Sequence, residues 1–337
     1  MKLNHFLLKA IAIFTVALML VGCGTSEDAS TKEETTVKNA DSEKTEEKAT
    51  AEKEEEVSET RIFTHFNGET EIPTEPKRVV TTQWLGHMLA LGVKPVGAGS
   101  WTLNNPYFEG MIDGIDDIGE GEVSLEKILS LEPDLIIATD EEAEIYEELS
   151  KIAPTILIPW MEHDVNGHLN IVADALGKQA EAETFIKDFE KVAAEKSEKV
   201  RNYVKEDETV LIFRIYPDSF SVYGDRNMGH VFYNGLGFTP PALIRAEMDK
   251  NPGKFNQNKI SLEVLPDYSA DHLIVMVNDL KEAEVQLKEI QSTKLWQGLP
   301  AVQNNNVYYI EKTQWLAYDS TSLLGQLKDA AELFDKE

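Results

Sequence analysis

The segment SLEKILSLEPDLII, residues 124–137, has a counterpart far downstream, SLEVLPDYSADHLIV at residues 261–275. In both segments Ser-Leu-Glu begins a short amphipathic helix, with the serine as its N-cap, and an aspartate follows eight residues after the glutamate. Each aspartate leads into a continuous apolar run, Leu135–Ala138 or Leu273–Val277, which is typical of a strand covered on both faces. The repeat predicts an α/β protein with two Rossmann-like lobes of related construction.

Other parts of the chain fit two lobes. Further strands are predicted at Arg78–Thr81, Pro95–Gly97, Thr155–Ile158, Thr209–Ile215 and Asn306–Ile310. From Lys178 to Val204 the chain has apolar residues at helical spacing and no Gly or Pro, which predicts one long amphipathic helix. We therefore place an N-terminal lobe at 61–177, a bridging helix at 178–205 and a C-terminal lobe at 206–337. A ligand is expected in the cleft between the lobes.

The beginning of the chain has the pattern of a secretory signal. Lys2 and Lys9 accompany an apolar run from Phe6 to Val21, which is short for a membrane span, and Leu-Val-Gly-Cys follows, ending in the only cysteine, Cys23. That ending resembles the lipobox of bacterial lipoproteins. We expect 1–22 to be a signal peptide and Cys23 to carry lipid. The lipid would hold the protein at the outer face of the cell membrane.

Residues 23–60 are rich in Glu, Lys, Thr, Ser and Ala and contain no aromatic residue. Such a segment buries too little apolar surface to offset the entropy of ordering. We expect a disordered, acidic tether between the lipid anchor and the first lobe, although a dispensable linker would have the same composition.

Composition excludes several functions. The formal net charge of −28 makes nucleic acid an unsuitable partner, because phosphate binding needs a basic face. The chain has no Gly-x-Ser-x-Gly, His-Glu-x-x-His or Gly-Lys-Ser/Thr motif, so a lipid-anchored enzyme is the less favoured reading. We predict a binding protein without a cofactor.

Several segments have the pattern of a known family. They are EIPTEPKRVV at 71–80, LALGVKPVG at 89–97, NPYFEG at 105–110, the two Ser-Leu-Glu segments and DSTSLLGQL at 319–327. With them the globular part resembles the helix-bridged (class III) substrate-binding lipoproteins of iron–siderophore ABC importers. It is most similar to the branch that binds ferric hydroxamate siderophores.

The resemblance implies a monomeric receptor that binds a ferric siderophore, hydroxamate types favoured, and delivers it to an ABC permease. The siderophore already saturates the iron, so the protein would supply no metal ligand. In that family the glutamates of the two repeated segments lie on the rims of the lobes and contact permease arginines, which assigns docking to Glu126 and Glu263. The helical position of each glutamate leaves a capping role open.

Ligands of open α/β sheets bind at the carboxyl ends of the strands. Aromatic rings there would pack against the siderophore, and Arg and His would donate to its oxygens. The candidates on these loops are Trp84, Trp101, Trp160, Arg214, Tyr223, Arg226, Met228, His230, Trp315 and Tyr318. The same loops also carry Gln83, Thr139 and Asp140. Met228 and His230 stand where the family has an aromatic residue and an arginine. Core packing for the tryptophans, a sheet ion pair for Arg214 and a capping role for His230 remain alternatives.

Two other ligands remain open. A haem receptor would use Met88 with His230, or Met228 with His87, as iron ligands across the cleft. A zinc or manganese receptor would need three or four His, Asp or Glu ligands, and the histidines show no obvious ligand spacing. Siderophore binding is the reading we favour.

Overall fold

Two five-stranded sheets form the frame of the molecule. The computed structural model describes residues 59–119, 121–278 and 281–334. All of them belong to one unit, Glu56–Glu337. The predicted signal peptide, Cys23 and nearly all of the predicted tether lie outside the described residues. None of the helices in the described part of the chain has the length and apolar content of a membrane span.

The N-terminal lobe contains an all-parallel sheet preceded by a hairpin. The hairpin strands pair antiparallel, and the sheet has the order β5-β4-β3-β6-β7. The strands are β1 Thr60–His65, β2 Gly68–Pro73, β3 Val79–Thr81, β4 Gly97–Ala98, β5 Asp116–Asp117, β6 Leu135–Thr139 and β7 Thr155–Ile158. In β6, Leu135 and Ile137 pack into one apolar cluster and Ile136 and Ala138 into another. The prediction that this strand is covered on both faces is therefore confirmed.

The C-terminal lobe contains a mixed sheet. Its order is β10-β9-β8-β11-β12, with β8, β11 and β12 parallel and β9 and β10 antiparallel to their neighbours. These strands are β8 Val210–Ile215, β9 Phe220–Tyr223, β10 Gln257–Ile260, β11 His272–Val277 and β12 Val307–Glu311. The two lobes thus share a parallel core of strands and differ at one edge.

The aspartates of the two repeated segments, Asp134 and Asp271, make equivalent hydrogen bonds in the two lobes. Asp134 accepts hydrogen bonds from the backbone N–H groups of Lys77 (2.6 Å) and Arg78 (2.9 Å), just before β3. Asp271 accepts from the backbone N–H of Thr209 (2.8 Å), just before β8. Each aspartate thus ties the strand that follows it to the first strand of its sheet, which explains why the spacing recurs.

Helices surround both sheets, and the longest one joins the lobes. The helices are α1 Leu85–Ala90, α2 Ser100–Leu103, α3 Leu125–Ser130, α4 Tyr146–Ser150, α5 Val165–Leu176, α6 Gln179–Val200, α7 Ala242–Lys250, α8 Lys281–Gln291, α9 Lys294–Gln297, α10 Pro300–Gln303, α11 Lys312–Trp315 and α12 Ser320–Ala330. Shorter 3₁₀ helices occupy Pro106–Phe108, Asp140–Ile145, Leu262–Tyr268 and Ala331–Phe334, and a π-helix occupies His230–Gly235. The helix predicted at 178–205 is α6, which ends five residues earlier than predicted.

A second connection between the lobes is made by α12, which packs against α1 of the N-terminal lobe. The Thr321 hydroxyl donates to the Gly86 carbonyl (2.7 Å), and the Asn105 amide donates to the Ser322 hydroxyl (2.7 Å). The Tyr107 hydroxyl donates to the Asp329 carboxylate (2.8 Å). The lobes are therefore joined by the bridging helix and by a polar seam along α12.

Candidate ligand-binding site

A cavity of about 360 Å³ lies between the lobes, in the size range of small-molecule sites. Loops after the N-terminal strands form one side, and the edge of the C-terminal sheet with the loop after β12 forms the other. The lining residues are Gln83, Trp101, Thr139, Glu141, Trp160, Arg214, Tyr223, Asn227, Asn256, Gln257, Leu316 and Tyr318. Five of the ten predicted ligand-binding residues are among them: Trp101, Trp160, Arg214, Tyr223 and Tyr318.

The N-terminal side of the cavity is aromatic and is held by hydrogen bonds. The Trp101 indole N–H donates to the Gln83 amide oxygen (2.7 Å), and the Trp101 ring is 44% exposed. The Trp160 backbone N–H donates to the Asp140 carboxylate (2.9 Å), which fixes the loop after β7 against the loop after β6. Both indoles therefore offer apolar faces at defined positions.

The C-terminal side combines loop residues with one face of the sheet edge. Arg214 pairs with Ser221 across β8 and β9, and Tyr223 pairs with Gln257 across β9 and β10. Directly paired residues share a face, and so do residues two apart along a strand. Arg214, Tyr223 and Gln257 are therefore brought together by strand register, with Phe213 on the opposite face.

Arg214 is held in place by its neighbours. Its Nη1 donates to the Tyr223 hydroxyl (2.8 Å) and its Nε to the Asn278 amide oxygen (3.0 Å). Its Cζ lies 4.3 Å from the centroid of the Tyr216 ring. Burial raises the pKa of Tyr223, so this phenol remains protonated. The guanidinium is thus a fixed cation at the cavity wall, suited to donating to a ligand oxygen.

An aromatic cluster closes the cavity where the lobes meet. The Trp160 ring stacks on His168 (5.5 Å between centroids, 15° between planes) and meets the Tyr318 ring edge-on (5.6 Å). The Tyr318 hydroxyl accepts a hydrogen bond from the Val165 backbone N–H (3.1 Å). Burial lowers the pKa of His168 to about 4, so this imidazole is neutral at physiological pH.

Two predicted cleft tryptophans belong to the core instead. Trp84 is fully buried, and its indole N–H donates to the Ala138 carbonyl (3.0 Å). Trp315 is buried and stacks on Phe232 (5.2 Å, 11°) in the C-terminal core. Neither lines the cavity, because each ring fills apolar space behind it.

Arg226 is also corrected from a cleft residue to a structural one. It is fully buried, its Nη1 donates to the carbonyls of His163 (2.7 Å) and Gly253 (3.2 Å), and its Nη2 donates to that of Trp160 (2.7 Å). Its Cζ lies 4.5 Å from the centroid of the Tyr318 ring. The guanidinium therefore joins backbone of both lobes behind the cavity and has no direct access to a ligand.

Met228 and His230 do not face the cavity either. Met228 is fully buried in the C-terminal core, and His230 packs against Phe189 of α6 (5.7 Å between ring centroids). Burial lowers the pKa of His230 to about 4. Met88 and His87 are equally buried in the N-terminal lobe. Neither proposed haem-ligand pair thus meets across the cavity.

Among the described residues, no group of three or more His, Cys, Asp or Glu side chains is arranged to hold a metal ion. This part of the protein therefore offers no preformed site for zinc or manganese.

The cavity also contains residues that the sequence analysis missed: Glu141, Asn227, Asn256, Gln257 and Leu316. Glu141 and Asn227 directly follow Asp140 and Arg226, which the sequence analysis places on the loops at the carboxyl ends of the strands. Asn256 and Gln257 precede a strand, so a rule based on carboxyl ends passes over them. They lie here because β10 pairs with β9 and places Gln257 opposite Tyr223, a pairing that no local sequence pattern predicts.

A larger groove of about 570 Å³ lies elsewhere, between the β1–β2 hairpin and α5. It is lined only by residues of the N-terminal lobe, including Phe66, Leu157 and Asn170. The cavity between the lobes is the better candidate, because both lobes contribute to it and the buried Arg214 lines it.

Glu126 and Glu263 are both exposed on the surfaces of their lobes. The Ser124 hydroxyl accepts from the backbone N–H of Lys127, the third residue of α3, so Glu126 stands at the second position and closes no capping box. Glu263 accepts a hydrogen bond from the Ser261 hydroxyl, which lowers the pKa of its carboxyl. Docking remains a prediction for both residues.

Known proteins share the sequence pattern and the architecture of this chain. The chain matches the family described as periplasmic binding protein over residues 79–313. The iron(3+)-hydroxamate-binding protein YxeB of Bacillus subtilis (strain 168) is 31% identical over 288 residues, covering 83% of this chain and 87% of that protein. The structure of Staphylococcus aureus SirA complexed with staphyloferrin B has a TM-score of 0.72 and 29% identity, covering 82% of this chain and 99% of SirA.

A FhuD fold-family component of a Fep/Fec-like ferrichrome ABC transporter from Bacillus subtilis is similar to the same extent. Its TM-score is 0.72 and its identity 30%, covering 82% of this chain and all of that one (100%). The predicted architecture of two α/β lobes joined by one long helix is confirmed by these structures and by the sheets described above.

Proposed function

Because this chain belongs to the periplasmic binding protein family, we propose that it is the extracytoplasmic receptor of an iron importer and binds a ferric siderophore of the hydroxamate type. The family is one of binding proteins and not of enzymes. The similar proteins named above bind iron(3+)-hydroxamate, staphyloferrin B or, as part of their transporter, ferrichrome. Their names support siderophores as the ligand class.

The observation that carries the proposal is the lining of the cavity between the lobes. It combines two indoles, Trp101 and Trp160, with the Arg214 guanidinium and the Tyr223 and Tyr318 phenols. A ferric siderophore has an apolar periphery and oxygen atoms around the metal. Aromatic faces suit the periphery, and a fixed guanidinium suits carbonyl and hydroxamate oxygens. Iron here is cargo, already coordinated by its siderophore.

Capture would involve little movement of the lobes. The α12 seam and the Arg226 bonds both join the lobes, so a wide closure would break several partly buried hydrogen bonds at once. Each broken buried bond costs about 1–3 kcal/mol when its partner is left unsatisfied. A cavity that is largely preformed is consistent with this constraint.

We further propose that lipid on Cys23 holds the receptor at the membrane and that it delivers its cargo to an ABC permease. The sequence pattern around Cys23 supports the anchor. Similarity to a ferrichrome ABC transporter component supports the permease. Glu126 and Glu263 are our candidates for the contact with it.

The proposal is tested by tryptophan fluorescence. Ferrichrome and ferric ferrioxamine B should quench the emission of the purified protein at submicromolar concentration, because Trp101 and Trp160 line the cavity. Arg214→Ala should weaken binding about tenfold or more, since it removes a charge-assisted hydrogen bond. Arg245→Ala, an exposed arginine of the same lobe, is the matched control and should leave affinity unchanged.

Two results would contradict the proposal. One is the absence of quenching and of any thermal shift with saturating hydroxamate, citrate-type and catecholate complexes. The other is equal affinity of Arg214→Ala and the wild type while both proteins unfold at the same temperature.

A further inference from the structure

We propose that Glu141 makes the cavity selective for the charge of its ligand, favouring ferric complexes that carry a pendant ammonium group over neutral and anionic ones. The inference rests on the proposed function, because it concerns the same cavity. It assigns a specificity role to a side chain that sequence reasoning passed over.

The charges at the cavity are few. Its lining contains one carboxylate, Glu141, and one guanidinium, Arg214. The polar remainder consists of neutral groups, chiefly the amides of Gln83, Asn227, Asn256 and Gln257. A ligand with several negative charges would therefore meet one cation only. That cation already donates to Tyr223 and Asn278.

Three acidic residues follow β6, and the structure uses two of them. The Asp140 carboxylate accepts from the Trp160 backbone N–H (2.9 Å). The Glu142 carboxylate accepts from the backbone N–H (2.9 Å) and hydroxyl (2.8 Å) of Thr139, closing a capping box at the start of the 3₁₀ helix. Glu141 bonds Thr139 only through its own backbone N–H (3.1 Å).

The carboxylate of Glu141 is consequently left over for a ligand. It is exposed and lines the cavity, and within the described stretches of the chain it has neither an ion pair nor a side-chain hydrogen bond. The Glu141 carboxylate is not needed to cap the 3₁₀ helix, because Glu142 completes the capping box with Thr139. A single unpaired carboxylate in the lining, where the one guanidinium is already bonded to Tyr223 and Asn278, attracts a cationic group and repels an anionic one.

Ferric siderophores differ in net charge, so the Glu141 carboxylate can distinguish between them. Three deprotonated hydroxamates balance the charge of ferric iron, so a trihydroxamate complex is neutral, and a free amine on its chain makes it a cation. Ferric tricatecholates and citrate-type complexes are anions. Exposed ion pairs contribute modestly, so we expect a preference of about twofold to fivefold for the cationic over the neutral complex.

The experiment compares two probes that differ in one group. Ferric ferrioxamine B carries a pendant protonated amine, and its N-acetylated form lacks that charge. The wild type should bind the first about twofold to fivefold more tightly at low salt, with the difference reduced at about 1 M NaCl by screening. Glu141→Gln should bind both equally, with unchanged affinity for the acetylated probe, and Glu141→Lys should prefer the acetylated probe.

Glu144→Gln is the matched control, because Glu144 is exposed on the same 3₁₀ helix and does not line the cavity. It should keep the wild-type preference. The same ratio of affinities in the wild type and Glu141→Gln would overturn the inference while leaving the proposed function intact. Failure of both probes to bind any of the proteins would overturn the proposed function and this inference with it.

Discussion

Arg214 and Arg226 are both buried arginines of the C-terminal lobe, and their hydrogen-bond partners separate their roles. Arg214 bonds side chains at the cavity wall, Tyr223 and Asn278. Arg226 bonds three backbone carbonyls, two of them from the loop after β7 in the other lobe. A guanidinium that donates to three carbonyls behind the cavity stabilises the fold, and its Nε is buried without a hydrogen-bond partner among the described residues.

Arg226→Ala should therefore destabilise the unliganded protein. Three partly buried carbonyls would lose their donor, and a bond to a charged donor contributes about 1.5–3 kcal/mol, so we expect the free energy of unfolding to fall by about 3 kcal/mol or more. Arg226→Lys should lower the free energy of unfolding by less, because the ammonium keeps the positive charge although it lacks the planar set of guanidinium donors. Urea denaturation measures both.

The comparison protein is Arg214→Ala, which should lose affinity with a smaller change in stability. If Arg226→Ala unfolded within about 0.5 kcal/mol of the wild type, Arg226 would not be the link between the lobes that its hydrogen bonds suggest.

Single side chains in loops were the hardest to predict from the sequence. Gln83 and Trp84 are neighbours after β3, yet Gln83 lines the cavity and Trp84 is buried with its N–H on the Ala138 carbonyl. The rule that ligands bind at the carboxyl ends of strands predicts a cleft position for Trp84 and for Trp101 alike. Only Trp101 has one, because successive loop residues face different directions and composition does not choose between them.

The helix α12 shows how one element holds the lobes together. Beside its polar bonds to the N-terminal lobe, it approaches that lobe closely at two glycine positions. A Cβ at Gly86 of α1 would overlap the Asp319 carboxylate, and a Cβ at Gly325 would overlap the Tyr107 ring. Asp319 itself is partly buried, and this desolvation raises the pKa of its carboxyl to about 6.

Gly325→Ala should destabilise the protein by about 1–3 kcal/mol, because the added methyl forces Tyr107 or the helix to shift. In a Tyr107→Ala background the same change should cost nothing and could even stabilise by up to about 1 kcal/mol, since Ala is the better helix former. Urea denaturation of the four proteins gives the coupling energy. An equal cost of Gly325→Ala in both backgrounds would show that the ring contact is not what limits the packing.

At the level of elements the sequence was informative where the signal was local. Continuous apolar runs predict β6 and β11, and the matched Glu-to-Asp spacing predicts two related lobes, as the structure has them. The two repeated helices nevertheless differ, because Pro266 lacks an N–H and the second segment forms a 3₁₀ helix. The β1–β2 hairpin was missed although Asn67-Gly68 marks its turn.

The whole molecule behaves as two lobes with two connections. The first, α6, was predictable because it is one uninterrupted amphipathic run. The second, α12 against α1, joins residues more than two hundred positions apart, such as His87 and Ser320 (2.9 Å), and no periodicity indicates such a contact. We expect these two connections to keep the surfaces of the lobes at a fixed separation when the cavity is filled.

A fixed separation suits two-point docking, so Glu126→Ala with Glu263→Ala should abolish siderophore uptake by iron-starved cells. Both glutamates are exposed, one on each lobe, and charged groups at the rim of an interface set orientation more than affinity. Binding of the siderophore should stay within about twofold of the wild type, because neither residue lines the cavity. Stability should also change little, since Glu126 closes no capping box.

Glu147→Ala with Glu284→Ala removes one exposed glutamate from each lobe and should leave uptake intact. This control distinguishes the effect of the positions of Glu126 and Glu263 from the effect of losing two negative charges. Receptor level on the cells must be equal for all variants. Because the rigid connection places both contacts at once, each single variant should retain part of the uptake, with the double variant showing the full loss. Normal uptake by the Glu126→Ala, Glu263→Ala protein would assign these glutamates to the helix ends alone and would leave the docking surface elsewhere on the lobes.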